Sequence, residues 1–220
     1  MTRRSTEALV ATLAAHACPV SPLRPARVLV GLLLGAAGLF ALCVMTGNTR
    51  TDLAQAVGQP MFWWKLGAFA FPALAASAGV ARAVQPEADS GPVWRVIGGL
   101  LLVGLVGGVA LSPGASADFL ARVWRPEALN CLTSVLAMGL PMAALMARAL
   151  GRGAPTRPLE AARMAGLAAG GWAAAAFALV CPVDDPLYTL MWFTLSVGLV
   201  ALAATLAVPP LLRASWRRRI

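Results

Sequence analysis

The sequence predicts an all-α polytopic membrane protein, a six-helix transmembrane bundle with a short cytoplasmic amphipathic helix at its N-terminus. Its composition is 59% hydrophobic and 12% charged, with a mean hydropathy of +0.75, far from that of a soluble globular chain. Apolar runs near spanning length recur along it, and about 20 helical residues cross about 30 Å of hydrocarbon. The arginines alternate between connections. Arg3, Arg4, Arg24, Arg27, Arg82, Arg95, Arg148, Arg152, Arg157, Arg163, Arg213 and Arg217–Arg219 fall on one side, and Arg50, Lys65, Arg122 and Arg125 on the other. Positive residues mark the cytoplasmic side, so both termini are expected there. The net charge of +9 therefore reports topology, and no direct nucleic-acid partner is expected.

Residues 1–27 form an arm and tether. Ser5 can cap a helix carrying Leu9, Val10, Leu13 and Ala17 along one apolar stripe, and Pro19, Pro22 and Pro25 then favour an extended chain. Two readings stand for the helix: it lies on the headgroups, or it docks into a partner's groove with Leu9 and Leu13 as anchors. The membrane domain, 28–211, divides into spans at 28–46, 61–81, 94–111, 131–147, 163–181 and 188–211, followed by a basic tail at 212–220. The first span is too long for a signal-peptide core and no small-residue cleavage site follows it, so it is read as retained.

Within the spans, Gly31/Gly35, Gly104/Gly108 and Gly166/Gly170 stand at GxxxG spacing, which lets helices approach closely. The second span opens with Phe62, Trp63, Trp64 and Lys65, an aromatic belt with a snorkelling lysine. The alternative is Lys65 as counter-ion to outer carboxylates. Pro72 and Pro141 are expected to bend their helices. The connection from Ser112 to Asn130 can hold a short interfacial helix.

The chain turns most sharply over Ala178–Trp192, ALVCPVDDPLYTLMW. Pro182 ends the helix ladder, and Asp184, Asp185 and Pro186 build a solvated turn. Cys181 at this rim is expected to be exposed enough to react. Cys131, at the start of the fourth span, lies at the same membrane face because a short connection makes spans four and five neighbours. Of the four cysteines, Cys18 is cytoplasmic and Cys43 sits in the outer third of the first span.

The available chemistry is narrow. The single histidine, His16, excludes an intrachain Ser/His/Asp set, an HExxH zinc site or a paired-histidine metal centre. No ionisable residue marks the span centres, which disfavours proton- or ion-coupled transport. No enzymatic activity is expected. What remains is thiol chemistry: Cys131 and Cys181 can be oxidised to a disulfide or can bind a transient soft metal ion, with Asp184, Asp185 and Cys43 as auxiliaries. Two inert or permanently bonded cysteines are the structural alternative. No obligatory cofactor is implied.

The N-terminal pattern of Leu9, Leu13, Pro19, Val20, Leu23 and Pro25, the Phe62–Lys65 start, Asn130 with Cys131, the loop GAPTRP at 153–158 and the turn CPVDDPLY with Trp192 together resemble the NrsF-like anti-sigma factors. The likeness covers nearly the whole chain. It implies a protein of the bacterial inner membrane that holds an extracytoplasmic-function sigma factor there until heavy-metal or oxidative stress alters two periplasmic cysteines, which Cys131 and Cys181 match. Similar sequences often place a histidine directly before the second cysteine. Here that residue is Val180, which favours oxidation or thiolate-only binding. Leu9, Val10 and Leu13, supported by Arg152 and Arg157, are the expected sigma-factor contacts. The rival reading is a small membrane transporter or redox carrier whose cysteines are structural or pass electrons. The oligomeric state is not set by the sequence.

Overall fold

The computed structural model describes residues 6–15, 24–46, 49–83, 85, 91–112, 119–153, 155 and 157–217, the side chains of 9, 13, 119, 152, 153 and 212–217 excepted. His16, Cys18, the prolines at 19 and 22 and the last three arginine-rich tail positions, 218–220, lie outside the described residues. Among those described are nine helices: α1 (Thr6–Ala15), α2 (Pro25–Met45), α3 (Leu53–Ala56), α4 (Pro60–Ala83), α5 (Gly91–Leu111), α6 (Phe119–Val123), α7 (Ala128–Gly153), α8 (Pro158–Phe177) and α9 (Pro186–Arg217).

Several helices begin where proline fixes the first turn. Pro25 and Pro158 occupy the first helical positions of α2 and α8, where a missing N–H costs nothing. Interior prolines are also present at 72, 141, 209 and 210, and the helices continue through them, as neighbouring helices allow in an apolar bundle.

Five helices, α2, α4, α5, α7 and α9, are long and apolar enough to cross a membrane by length and composition. The expected six is therefore corrected to five on that criterion. The exception is α8, the counterpart of the predicted 163–181 span. It begins with Glu160 and Arg163, is otherwise rich in alanine and glycine, and ends at Phe177 rather than at 181. Its position explains its composition: α8 packs against α9, α4 and α7, and most of its residues from Ala161 to Phe177 are buried. A helix enclosed by protein needs small residues for close approach and no broad apolar face for lipid.

The glycine spacing is accounted for unevenly. A Cβ on Gly166 would stand 2.6 Å from the Ala201 Cα of α9, and one on Gly108 2.5 Å from the Trp64 ring, so both glycines seat close crossings. Gly31, by contrast, has nothing within 4 Å of such an atom, and only Leu32, Ala36 and Cys43 of α2 are buried, with Val28, Leu39 and Phe40 partly buried against the core. On α1, Val10 is exposed, and the apolar residues run round the helix rather than along the single stripe expected of it.

Candidate functional site

The described parts of three connections, 49–59, 119–127 and 178–185, meet at one end of the bundle, and the site is built on the last of them. After Phe177 the α8 ladder closes in a tight turn, with the Val180 and Cys181 amides both donating to the Phe177 carbonyl at 2.9 Å. Pro182 prevents continuation. Asp185 then caps α9: its carboxylate accepts from the Leu187 and Tyr188 amides at 2.9 and 3.3 Å, and Pro186 takes the first helical position.

This turn carries Cys181 to Cys131 on the first turn of α7, and the two sulfurs lie 3.6 Å apart as free thiols. The juxtaposition expected from topology is present. The expected exposure is not: Cys131 is 2% and Cys181 3% accessible. The α9 start and the Pro182–Asp185 segment fold over the sulfurs, and Phe177, Tyr188 and Phe193 surround them in one apolar cluster. The Tyr188 hydroxyl donates to the Cys131 sulfur at 3.0 Å.

Three cations clamp the turn. Lys65 is fully buried and its Nζ donates to the carbonyls of Cys181 and Val183 at 2.9 and 2.8 Å and lies 3.5 Å from Asp184. It is thus no snorkelling anchor. The counter-ion alternative describes it, and three acceptors match the three donors of an ammonium. Arg50 grips Asp184 at 2.9 and 2.7 Å and Asp52 at 2.7 and 2.8 Å, while its amide donates to the Leu179 carbonyl at 3.0 Å. Arg122 binds both oxygens of Asp185 at 2.8 and 3.1 Å. Such two-pronged pairs fix geometry as well as charge.

The electrostatics follow from these contacts. Asp52, and to a lesser degree Asp184, raise the Arg50 pKa further, and Arg50 in turn holds Asp52 below the usual carboxylate range. Burial works to raise the Asp185 carboxyl, but Arg122 and the α9 amides outweigh it and the net shift is downward. The Cys181 thiol is drawn below its ordinary range by its hydrogen bond with Cys131 and, against the opposing effect of burial, by the Lys65 ammonium.

Cys43 does not join the pair. Its sulfur contacts Met138 Sδ at 3.8 Å, seven positions and about 10 Å along α7 from Cys131. Among the described residues no group of three or more His, Cys, Asp or Glu side chains could hold a metal ion. Asp184 and Asp185 are engaged by Arg50, Lys65 and Arg122, so the donor set that remains is two soft sulfurs. Far along the chain, Arg157 is exposed beside Glu160 at 3.6 Å. The side chains of Arg152, Leu9 and Leu13 lie outside the described residues.

Sequence reasoning missed Arg50 and Tyr188. Tyr188 is the only tyrosine in the chain, and its position seven residues after Cys181, in the first turn of α9, was the available signal.

Fold and site together define a helical bundle, five of its helices long and apolar enough to cross a membrane, with a buried dithiol beneath an ion-clamped turn at one end. The chain belongs to the family described as NrsF, negative regulator of sigma F, whose model matches residues 13–214. It is 33% identical over 200 residues to the anti-sigma-F factor NrsF of Caulobacter vibrioides, covering 87% of this chain and 91% of that one. It is 29% identical over 214 residues to the probable anti-sigma-F factor NrsF of Azospira oryzae, covering 94% and 99%. No solved structure matches it.

Proposed function

We propose that this chain is a membrane-bound anti-sigma factor that sequesters a sigma factor of the extracytoplasmic-function type and releases it when Cys131 and Cys181 are modified from the periplasmic side. Family membership and the names of the two relatives support the anti-sigma role. The arginine asymmetry supports cytoplasmic termini, which require an even number of crossings; α8, enclosed by helices that can themselves span, then serves as the sixth although it is less apolar than the other five.

The observation that carries the sensing step is the 3.6 Å approach of two free sulfurs under the clamped turn. A two-electron oxidant, such as a peroxide or the diazene diamide, takes two electrons and two protons from the pair and the sulfurs join; a soft, thiophilic metal ion is the alternative signal. Either product favours a different packing of the turn, and an energy difference of a few kcal/mol redistributes a two-state bundle. On the cytoplasmic side the arm, with Leu9, Val10 and Leu13, holds the sigma factor, assisted by Arg152 and Arg157.

The reading is tested by purifying the full chain from its native membrane in mild detergent under reductant and identifying what co-purifies. A sigma factor is expected, retained under reductant, shed after treatment with diamide, and lost from a Leu9→Asp, Leu13→Asp variant that still inserts. A preparation with no sigma factor contradicts the reading.

A further inference from the structure

We propose that Arg50, through its grip on Asp184, is the latch that carries the state of the thiol pair to α2 and so to the N-terminal arm; this rests on the anti-sigma reading above. Cys131 sits in a regular helix, whereas Cys181 sits in the irregular 181–185 segment. Any change that draws the sulfurs from 3.6 Å to the bonded distance of about 2 Å is taken up where there is no helical ladder to resist it. The segment that moves then carries Asp184 with it.

Arg50 is the point at which that segment is tied to α2. Its amide holds the Leu179 carbonyl at 3.0 Å, its guanidinium holds both Asp184 oxygens, and Asp52 fixes the far side of the same guanidinium. The guanidinium is nearly dry, with 3% of the side chain exposed, so the pair is not weakened by solvent as a surface pair would be. Arg50 follows the α2 C-cap, Thr46, by a few residues.

Helix α2 is also the spanning-length helix, with α5, held least by burial. Leu32, Ala36 and Cys43 are its buried residues, and no neighbour lies within 4 Å of a Cβ at Gly31 or Gly38. An element with few apolar contacts moves at low cost once a polar tether is cut. At its opposite end α2 begins at Pro25, directly after the arm. Displacement of one end of a rigid helix about 30 Å long is felt at the other. The companion pair, Arg122–Asp185, ties the same turn to α6 instead, and provides a comparison within the same site.

The test uses the full chain in cells with a sigma-dependent reporter and membrane levels measured in parallel. Arg50→Gln and Asp184→Asn are expected to raise resting transcription about tenfold, toward the induced level, as expected for a two-state equilibrium biased by loss of one contact. Derepression persists when Cys131→Ser and Cys181→Ser are added, because the latch acts after the thiols. Arg122→Gln stays within about twofold of wild type. The latch is overturned if Arg50→Gln remains repressed and inducible, if the serine variants restore repression, or if Arg122→Gln derepresses equally. Should Arg50→Gln fail to accumulate, Asp184→Asn and Arg50→Lys decide by the same criteria, Arg50→Lys being expected at an intermediate level. If the serine variants lose induction while Arg50→Gln stays repressed, the latch alone fails. If removing the whole protein leaves the reporter unchanged, the anti-sigma reading fails with it.

Discussion

The Tyr188 hydroxyl points at the Cys131 sulfur from 3.0 Å, so one side of the thiol pair is held by α9 while the other is held through the Cys181 carbonyl by Lys65 of α4. Neither thiol is free to turn away from its partner. The pairing is imposed by three helices and a turn, and each support is open to test.

Removing the Tyr188 hydroxyl should slow pairing without unfolding the bundle. Tyr188→Phe keeps the ring in the cluster formed by Phe177 and Phe193 and deletes one hydrogen bond, a loss of about 1 kcal/mol. Disulfide formation by diamide, followed by gel shift with a maleimide polymer, is expected to slow several-fold, with thermal unfolding little changed. An unchanged rate would mean that the hydroxyl does not orient the sulfur.

Lys65 should matter far more to stability. Lys65→Met leaves the Cys181 and Val183 carbonyls without their donor and removes positive charge next to Asp184 at a fully buried site. Breaking a buried charge set from one side costs about 3 kcal/mol or more. Tryptophan fluorescence during heating in detergent should show a lower midpoint than for the exposed-site variant Trp63→Phe.

The glycine contacts separate two helix faces. A methyl at Gly166 would meet the Ala201 Cα at 2.6 Å and the Ala204 Cβ at 2.9 Å. Gly166→Ala must then push α8 from α9, at about 1–3 kcal/mol. Gly98 has open space, so Gly98→Ala is expected to be neutral or slightly stabilising, by up to about 1 kcal/mol. The two unfolding midpoints in detergent should therefore move in different directions or by clearly different amounts.

The Arg122–Asp185 pair sets an acid limit. The folded Asp185 lies below its ordinary value, so its contribution to stability is complete above the unfolded carboxylate range, near pH 4. It is lost as the pH falls through the lower folded value. Asp185→Asn should lower the unfolding midpoint at pH 7 and narrow the gap to wild type at pH 3. A gap that widens on acidification would contradict the assignment.

Much of this architecture was legible in the chain because its signals are local. Proline and aspartate at 182–186 stop α8 and cap α9, and the apolar runs place α2, α4, α5, α7 and α9 to within a few residues. That Cys131 and Cys181 share one end of the bundle followed from a short connection between neighbouring helices, whereas their 3.6 Å approach is set by packing. Their burial did not, because it depends on Tyr188 and Phe193 packing over them from α9, a tertiary event with no local signature. Lys65 shows the same limit: the FWWK start fits a membrane anchor until a turn far along the chain supplies its acceptors. Arg50 was read only as an outer charge, since its partner Asp184 lies 134 positions away. For α8, the run read as 163–181 marks a real helix but sets it five residues late at the start and four at the end, and its alanine- and glycine-rich composition reflects enclosure by other helices rather than contact with lipid.

The most direct measurement is sigma-dependent transcription in cells carrying the wild-type chain, Cys131→Ser or Cys181→Ser at equal membrane levels, before and after diamide or a thiophilic metal ion. The account predicts induction in the wild type and none in either variant, with repression kept at rest. Induction of both variants to the wild-type level would contradict it and leave the 3.6 Å thiol pair a structural feature only.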